Sequence, residues 1–344
     1  MTNPYSAKTE KQFWRTAVAD VPVEQVAPLP SKRFAFVRGE SIATAGSCFA
    51  QNVARYLVDM PDVNFLQPEP NDADQPAYSA RYGNIYTVSQ LNQLFLEAFN
   101  MSEVPPLAVK RADGSWVDGF RPTIFKEGFV TPEEVRTARE EHLSAVRKMF
   151  EECSVFIFTL GLVEGWGVAE GLFTVPMPLA LVSDDPSTPS CHFRLFTYDE
   201  ILSTLQCFVS QLKLVNPAVK IILTVSPVPL TATYTDEHVL TASVLGKSVL
   251  RAVCAAMETA YDDVFYFPSF EIISSHFNNG KYYSRNKRSV TDEGIEHVMR
   301  IFRDTYMSDE NRSEGSMEHN DMLRESYSGQ VICDEEKFGT NIGF

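Results

Sequence analysis

Runs of consecutive apolar residues, set between stretches of helical period, leave this sequence few folds to choose from. Residues 41–45, 154–160, 220–225 and 264–267 are such runs, and residues 63–66 form a weaker one. A strand that is apolar on both faces belongs to a parallel sheet covered on both sides. Between the runs the apolar residues change period. Leu91, Leu94, Phe95 and Ala98 follow Thr87; Ile201, Leu205, Phe208 and Leu212 follow Thr197; Ile295, Val298, Met299 and Phe302 follow Thr291. Each set marks one stripe of an amphipathic helix. Thr131-Pro132-Glu133-Glu134 and Thr197-Tyr198-Asp199-Glu200 are capping boxes; the first starts one more helix, and another is expected over residues 236–261. This alternation predicts an α/β fold: a three-layer α/β/α sandwich with a mostly parallel sheet. Residues 101–130 and 166–192 read as irregular.

Ligands of such sheets gather at the carboxyl ends of the strands. The first strand ends in Gly46-Ser47-Cys48-Phe49-Ala50, directly before a helical pattern. A strand, a tight turn and a helix start there present a hydroxyl and a thiol, next to amides that favour negative charge. Acyl-transfer nucleophiles are mounted in this way. Ser47 and Cys48 are both candidates. In the alternative reading Ser47 caps the helix and Cys48 is a small core residue.

Those five residues spell the signature of the GSCFA family, a bacterial group related to the SGNH (GDSL-like) hydrolases, and the chain resembles that family well beyond them. Asn3-Pro4-Tyr5-Ser6, Phe13-Trp14-Arg15, Tyr78-Ser79-Ala80-Arg81-Tyr82-Gly83-Asn84, Thr159-Leu160-Gly161-Leu162, Thr224-Val225-Ser226-Pro227-Val228-Pro229 and Tyr266-Phe267-Pro268-Ser269 occur in the family's order. The resemblance implies an SGNH-hydrolase-like domain over residues 36–307, preceded by an arm (1–35) anchored by Phe13 and Trp14. Laid on the Gly-Asp-Ser segment of SGNH enzymes, Cys48 takes the nucleophile's place, with Ser47 as the alternative. Gly83 and Asn84 take the place of oxyanion donors, beside the amides of residues 47–48. Gly161-Leu162-Val163-Glu164 departs from the family's Gly-x-Asn-Asp block; Glu164 and Trp166 become candidate pocket residues.

The base is where the pattern fails. Asn286 and Ser289 stand where SGNH enzymes carry an Asp-x-x-His segment, and neither can accept the proton. His276, earlier in the same loop, is the substitute base expected here, with Glu271 as its partner; His238 is a further rim candidate. His142 and His297 read as solvated helix residues. The basic residues from Lys281 to Arg288 could seat an anionic group or form an ordinary solvated loop.

These residues imply an acyl hydrolase or acyltransferase acting on an ester or thioester of a small molecule or, through the family's association with surface-polysaccharide biosynthesis, a bacterial glycan. The alternative is a non-catalytic ligand-binding protein that has lost the base. Other classes are disfavoured. A net charge of −15 argues against nucleic acid or an anionic membrane as partner. The sequence holds no long apolar run of membrane-spanning length, so no membrane insertion is expected. It has no dinucleotide or P-loop fingerprint and no metal-ligand spacing, so neither cofactor nor metal is expected. The 6 cysteines are scattered without a CxxC pair, as in a reduced, cytoplasmic protein. Cys153, Cys207 and Cys254 read as core residues. Residues 308–344, with 9 acidic and 3 basic side chains, read as a disordered tail. Oligomeric state is not legible.

Overall fold

The computed structural model describes residues 3–60, 62–69 and 78–307. The expected acidic tail and most of the acidic loop at residues 68–76 lie outside them. The chain forms β1 (Glu40–Gly46), α1 (Ala50–Val58), β2 (Val63–Phe65), α2 (Val88–Ala98), β3 (Ala108–Lys110), β4 (Trp116–Asp118) and α3 (Pro132–Glu152). It continues with β5 (Val155–Leu160), β6 (Glu164–Val168), β7 (Phe173–Val175), β8 (His192–Leu195), α4 (Tyr198–Val215), β9 (Lys220–Val225) and α5 (Val239–Ala260). Last come β10 (Val264–Phe267), α6 (Ser269–Ser274) and α7 (Asp292–Tyr306).

Five strands make one sheet in the order β10-β9-β5-β1-β2, every pair parallel. Val155–Leu160 is buried along its whole length, as a central parallel strand must be. Phe156 and Phe158 face a core built with α2, α3, α4 and α5. Val155 and Ile157 face a second core built with α1, α6 and α7. The expected three layers are therefore present. The helix starts follow the sequence: Thr131, Thr197 and Thr291 each accept a backbone N–H of the first turn through the side chain. By length and composition alone α5 could cross a membrane. Here its stripe Ala242, Gly246, Leu250 and Val253 is buried against the sheet layer.

Two stretches that read as irregular carry strands. β3 pairs with β4 as a hairpin, and β6 lies between β7 and β8 in a small antiparallel sheet. These strands are short, and β6 carries Gly165 and Gly167, so neither length nor apolar content marked them. Pairing with β8, far along the chain, fixes β6.

The arm meets the domain through Trp14, which stacks on His276, and also through residues the sequence did not mark. Trp14 is 58% exposed and Phe13 40%. Val26 is buried, and Phe34 packs its ring 4.6 Å from that of Phe265. Cys207 is exposed rather than part of the core; Cys153 and Cys254 are buried.

Candidate functional site

The sheet order defines where a site belongs. From β1 the chain crosses to β2 on one side and returns to β5 on the other. In an open parallel sheet that reversal opens a crevice at the carboxyl ends of the two central strands. Ser47 follows β1 and Gly161 follows β5, so both lie at the switch point.

Three segments meet there at backbone contact. Ser47 N–H donates to Thr159 O (3.2 Å), Ile85 N–H to Gly46 O (2.8 Å), and Gly161 and Leu162 N–H both to Tyr86 O (3.1 and 2.9 Å). Only glycine fits at two of these positions. A Cβ on Gly46 would lie 2.5 Å from Thr159 O, and one on Gly161 would lie 2.8 Å from Ser47 Cβ and 3.1 Å from Tyr86 O. The Ser47 amide is thus committed to Thr159, and the expectation that it would hold an oxyanion is corrected.

Ser47 and Cys48 are 2% and 3% exposed. The cap of α1 is Phe49, with no side-chain hydrogen bond, so Ser47 does not cap the helix. Among the described residues Ser47 Oγ is buried and has no hydrogen-bond partner. Asn84 is buried beside this turn. Its Oδ1 accepts from Gln51 Nε2 (3.0 Å) and Tyr78 O–H (3.1 Å), and Gln51 also donates to Tyr78 Oη (2.8 Å). That triangle fixes which way the Asn84 amide faces. Gly83, at φ +74°, supplies the left-handed turn that brings Asn84 there.

On the far side of the Gly161–Tyr86 contact opens a pocket of about 320 Å³. Tyr86, Leu162, Glu164, Trp166, Leu230 and Tyr234 are among its walls, so Glu164 and Trp166 stand in a pocket as expected. Glu164 acts as a tether: it accepts from Thr233 O–H (2.7 Å) and Tyr234 N–H (3.1 Å), holding the segment after β9 over the opening.

The expected bases are not brought to Ser47. His276 stacks on Trp14 with ring centroids 5.4 Å apart, so the arm engages it. Glu271 is not its partner; it pairs with Arg251 Nε at 2.6 Å and accepts from Tyr266 O–H at 2.7 Å, and so is held at α5 and β10. His238 is the exposed N-cap of α5, its Nδ1 accepting from Leu240 N–H at 3.2 Å. Asn286 and Ser289 bond each other at 2.9 Å. In the basic run, Lys281 pairs with Glu293, and Arg288 donates to Pro229 O at 3.1 Å.

Sequence reasoning missed three buried polar residues nearby. Lys247 donates to Gly161 O at 2.7 Å from inside α5. It falls on the stripe Ser243, Lys247, Leu250 and Cys254, a spacing that marks a core position. His142 and Arg139 sit on the buried stripe of α3 with Val135, Val146 and Met149. His142 is therefore not solvated. Its Nδ1 lies 2.6 Å from Glu69 Oε2, and its Nε2 has no partner among the described residues. Burial and the Arg121 charge push the imidazole down to about 4, so it is neutral near pH 7. Asp118 takes Arg121 Nε and Arg139 Nη1, both at 3.0 Å, and Arg139 also pairs with Glu97. Burial would raise the Asp118 carboxyl, but Arg139 and Arg121 outweigh it and hold it low. His297 is likewise buried, between Tyr282 and Val26 O.

Fold and site together define a doubly wound parallel α/β protein with its topological switch point between β1 and β5. The chain belongs to the GSCFA family, whose model matches residues 41–302. Among solved structures, similar chains include a Clostridium thermocellum family 3 carbohydrate esterase, at 10% identity and a TM-score of 0.28, covering 84% of this chain and 98% of that one. Another is a Streptococcus pneumonia protein described as a platelet activating factor, at 13% identity and a TM-score of 0.27, covering 62% and 90%. No curated protein gives a significant match.

Proposed function

We propose that this chain is an SGNH-like acyl hydrolase or acyltransferase in which Ser47 or Cys48 attacks an ester or thioester. One observation carries the reading: Ser47 Oγ is buried at the switch point without a partner. Leaving a buried hydroxyl unpaired costs about 1–3 kcal/mol, a cost that a substrate contact at this position would offset. In the reaction the oxygen or sulfur bonds to the carbonyl carbon, and its proton passes to the alkoxide or thiolate that leaves as that carbon's bond to it breaks. The alcohol or thiol departs, and water or a second hydroxyl then takes the acyl group. Asn84, its carbonyl side held by Gln51 and Tyr78, would present its amide hydrogens to the oxyanion. The family resemblance suggests an acylated bacterial glycan as substrate, an analogy at the level of fold.

A second reading is favoured by the bond between Asn286 and Ser289 and by the engagement of His276, Glu271 and His238 elsewhere. It is a ligand-binding protein that keeps the scaffold and performs no turnover. A screen of short acyl esters and acyl thioesters separates the two. Turnover that is lost in Ser47→Ala or Cys48→Ala supports the enzyme. Absence of turnover with every ester and thioester supports the binding protein.

A further inference from the structure

The 320 Å³ pocket is polar in composition only in part, and several of its polar atoms are engaged from within. Thr87 Oγ1 accepts from Gln90 N–H at 3.2 Å, and Gln90 Oε1 accepts from Tyr86 and Thr87 N–H at 3.0 and 3.1 Å. Glu164 spends both oxygens on Thr233 and Tyr234. What remains toward the interior is ring and aliphatic surface: Tyr86, Leu162, Trp166, Val175, Leu181 and Leu230. No Lys, Arg or His stands among its walls.

Those facts sort ligands by chemistry. An anionic group would be stripped of water beside the Glu164 carboxylate with no cation to meet it. A sugar ring would exchange hydrated hydroxyls for a mostly apolar wall on which Thr87, Gln90 and Glu164 already hold partners. Its stacking surface is also restricted, because Tyr234 and Phe193 pack against Trp166 with centroids 4.8 and 5.6 Å away. An alkyl chain gives up no hydrogen bond and buries apolar surface along its whole length. A volume of about 320 Å³ lies at the lower end of small-molecule sites, so the guest is a chain of modest length.

We propose that this pocket binds an uncharged alkyl or acyl chain. Ser47 lies across the Gly161–Tyr86 contact, which orients such a chain with its carbonyl end toward Gly161. That orientation alone rests on the acyl-transfer reading; binding of the chain does not. A glycan substrate would accordingly contribute its acyl group, not its sugar ring, to this space.

The test is a titration of the full chain with n-alkyl β-glucosides from butyl to octyl, below their micelle concentrations, and with glucose as head-group control. Trp166 emission in a Trp14→Phe, Trp116→Phe background reports binding, and calorimetry on the unmodified chain repeats it. Affinity should rise about fourfold per added methylene until the pocket is full, the increment expected for burying one methylene. Glucose should be silent. Ala232, exposed at the pocket wall, allows a blocking variant that does not disturb the core. Ala232→Phe should weaken octyl glucoside about tenfold or more with an unchanged melting temperature. Affinity independent of chain length, glucose binding as tightly as octyl glucoside, or an Ala232→Phe variant that binds like the parent would overturn the proposal. Absence of turnover with every ester and thioester would overturn the acyl-transfer reading and leave these titrations unaffected, so failure of that reading is told apart from failure of this one.

Discussion

Gly161 and Ser47 are packed so tightly that a Cβ on the glycine would stand 2.8 Å from Cβ of the serine. Neither side can yield easily. Gly161 N–H is tied to Tyr86 O, its carbonyl takes Lys247, and the Ser47 amide is tied to Thr159 O. Gly161→Ala should therefore destabilise the fold by about 1–3 kcal/mol, the usual cost of overpacking, and displace the Ser47–Cys48 turn. Urea denaturation measures the first. Turnover that falls further than the stability loss explains checks the second.

Asn84 lies beside the Gly46–Ser47 turn with its carbonyl engaged by Gln51 and Tyr78. If its amide meets the oxyanion, Asn84→Ala lowers kcat by about 10²–10³. KM should stay within about a factor of two, because the donor acts on charge that develops only in the transition state. A change confined to KM would assign Asn84 to ground-state binding instead.

Acid should weaken the fold in a defined window. Burial holds His142 and His297 each at about 4, whereas a histidine in the unfolded chain titrates near 6.5. Between those values the unfolded state binds more protons than the native one, so stability is intact above pH 6.5 and falls as pH drops toward 4. Each residue contributes up to about 1.4 kcal/mol per pH unit there. Denaturation midpoints at several pH values measure the slope. His142→Gln should remove about half of it.

The cluster of Glu97, Asp118, Arg121 and Arg139 is balanced, and its members depend on one another. Arg139→Ala leaves Glu97 and Asp118 buried beside a lost cation. Breaking one side of a buried pair in this way costs about 3–5 kcal/mol. The double variant Arg139→Met with Glu97→Leu should recover part of that, since both charges are removed together.

The sheet and its helices were legible because the signals are local. Val155–Leu160 is apolar throughout and Thr197 carries its capping partner three residues on, so each announces its own structure. Position at the strand end was also legible for Ser47, Cys48, Gly83 and Asn84. What failed depended on partners distant in the chain. His276 reads as a candidate base until Trp14 takes its ring, and Glu271 until Arg251 and Tyr266 take its oxygens. His142 reads as a solvated helix residue, and nothing in the sequence singles out Arg139 one turn before it. Their positions on the α3 stripe are those of core residues, made tolerable by Glu69, Glu97 and Asp118. β6 was hidden by its glycines and by a pairing that only the tertiary structure reveals.

The central claim is that the Ser47–Cys48 turn holds the group that takes the acyl chain. Incubating the full chain with a p-nitrophenyl ester, quenching in acid and mapping the peptides by mass spectrometry tests it directly. The account predicts an acyl adduct on the peptide containing residues 47 and 48, absent from the Ser47→Ala, Cys48→Ala double variant. Ester hydrolysis that continues unchanged in that variant, or an adduct carried by another residue, would contradict it.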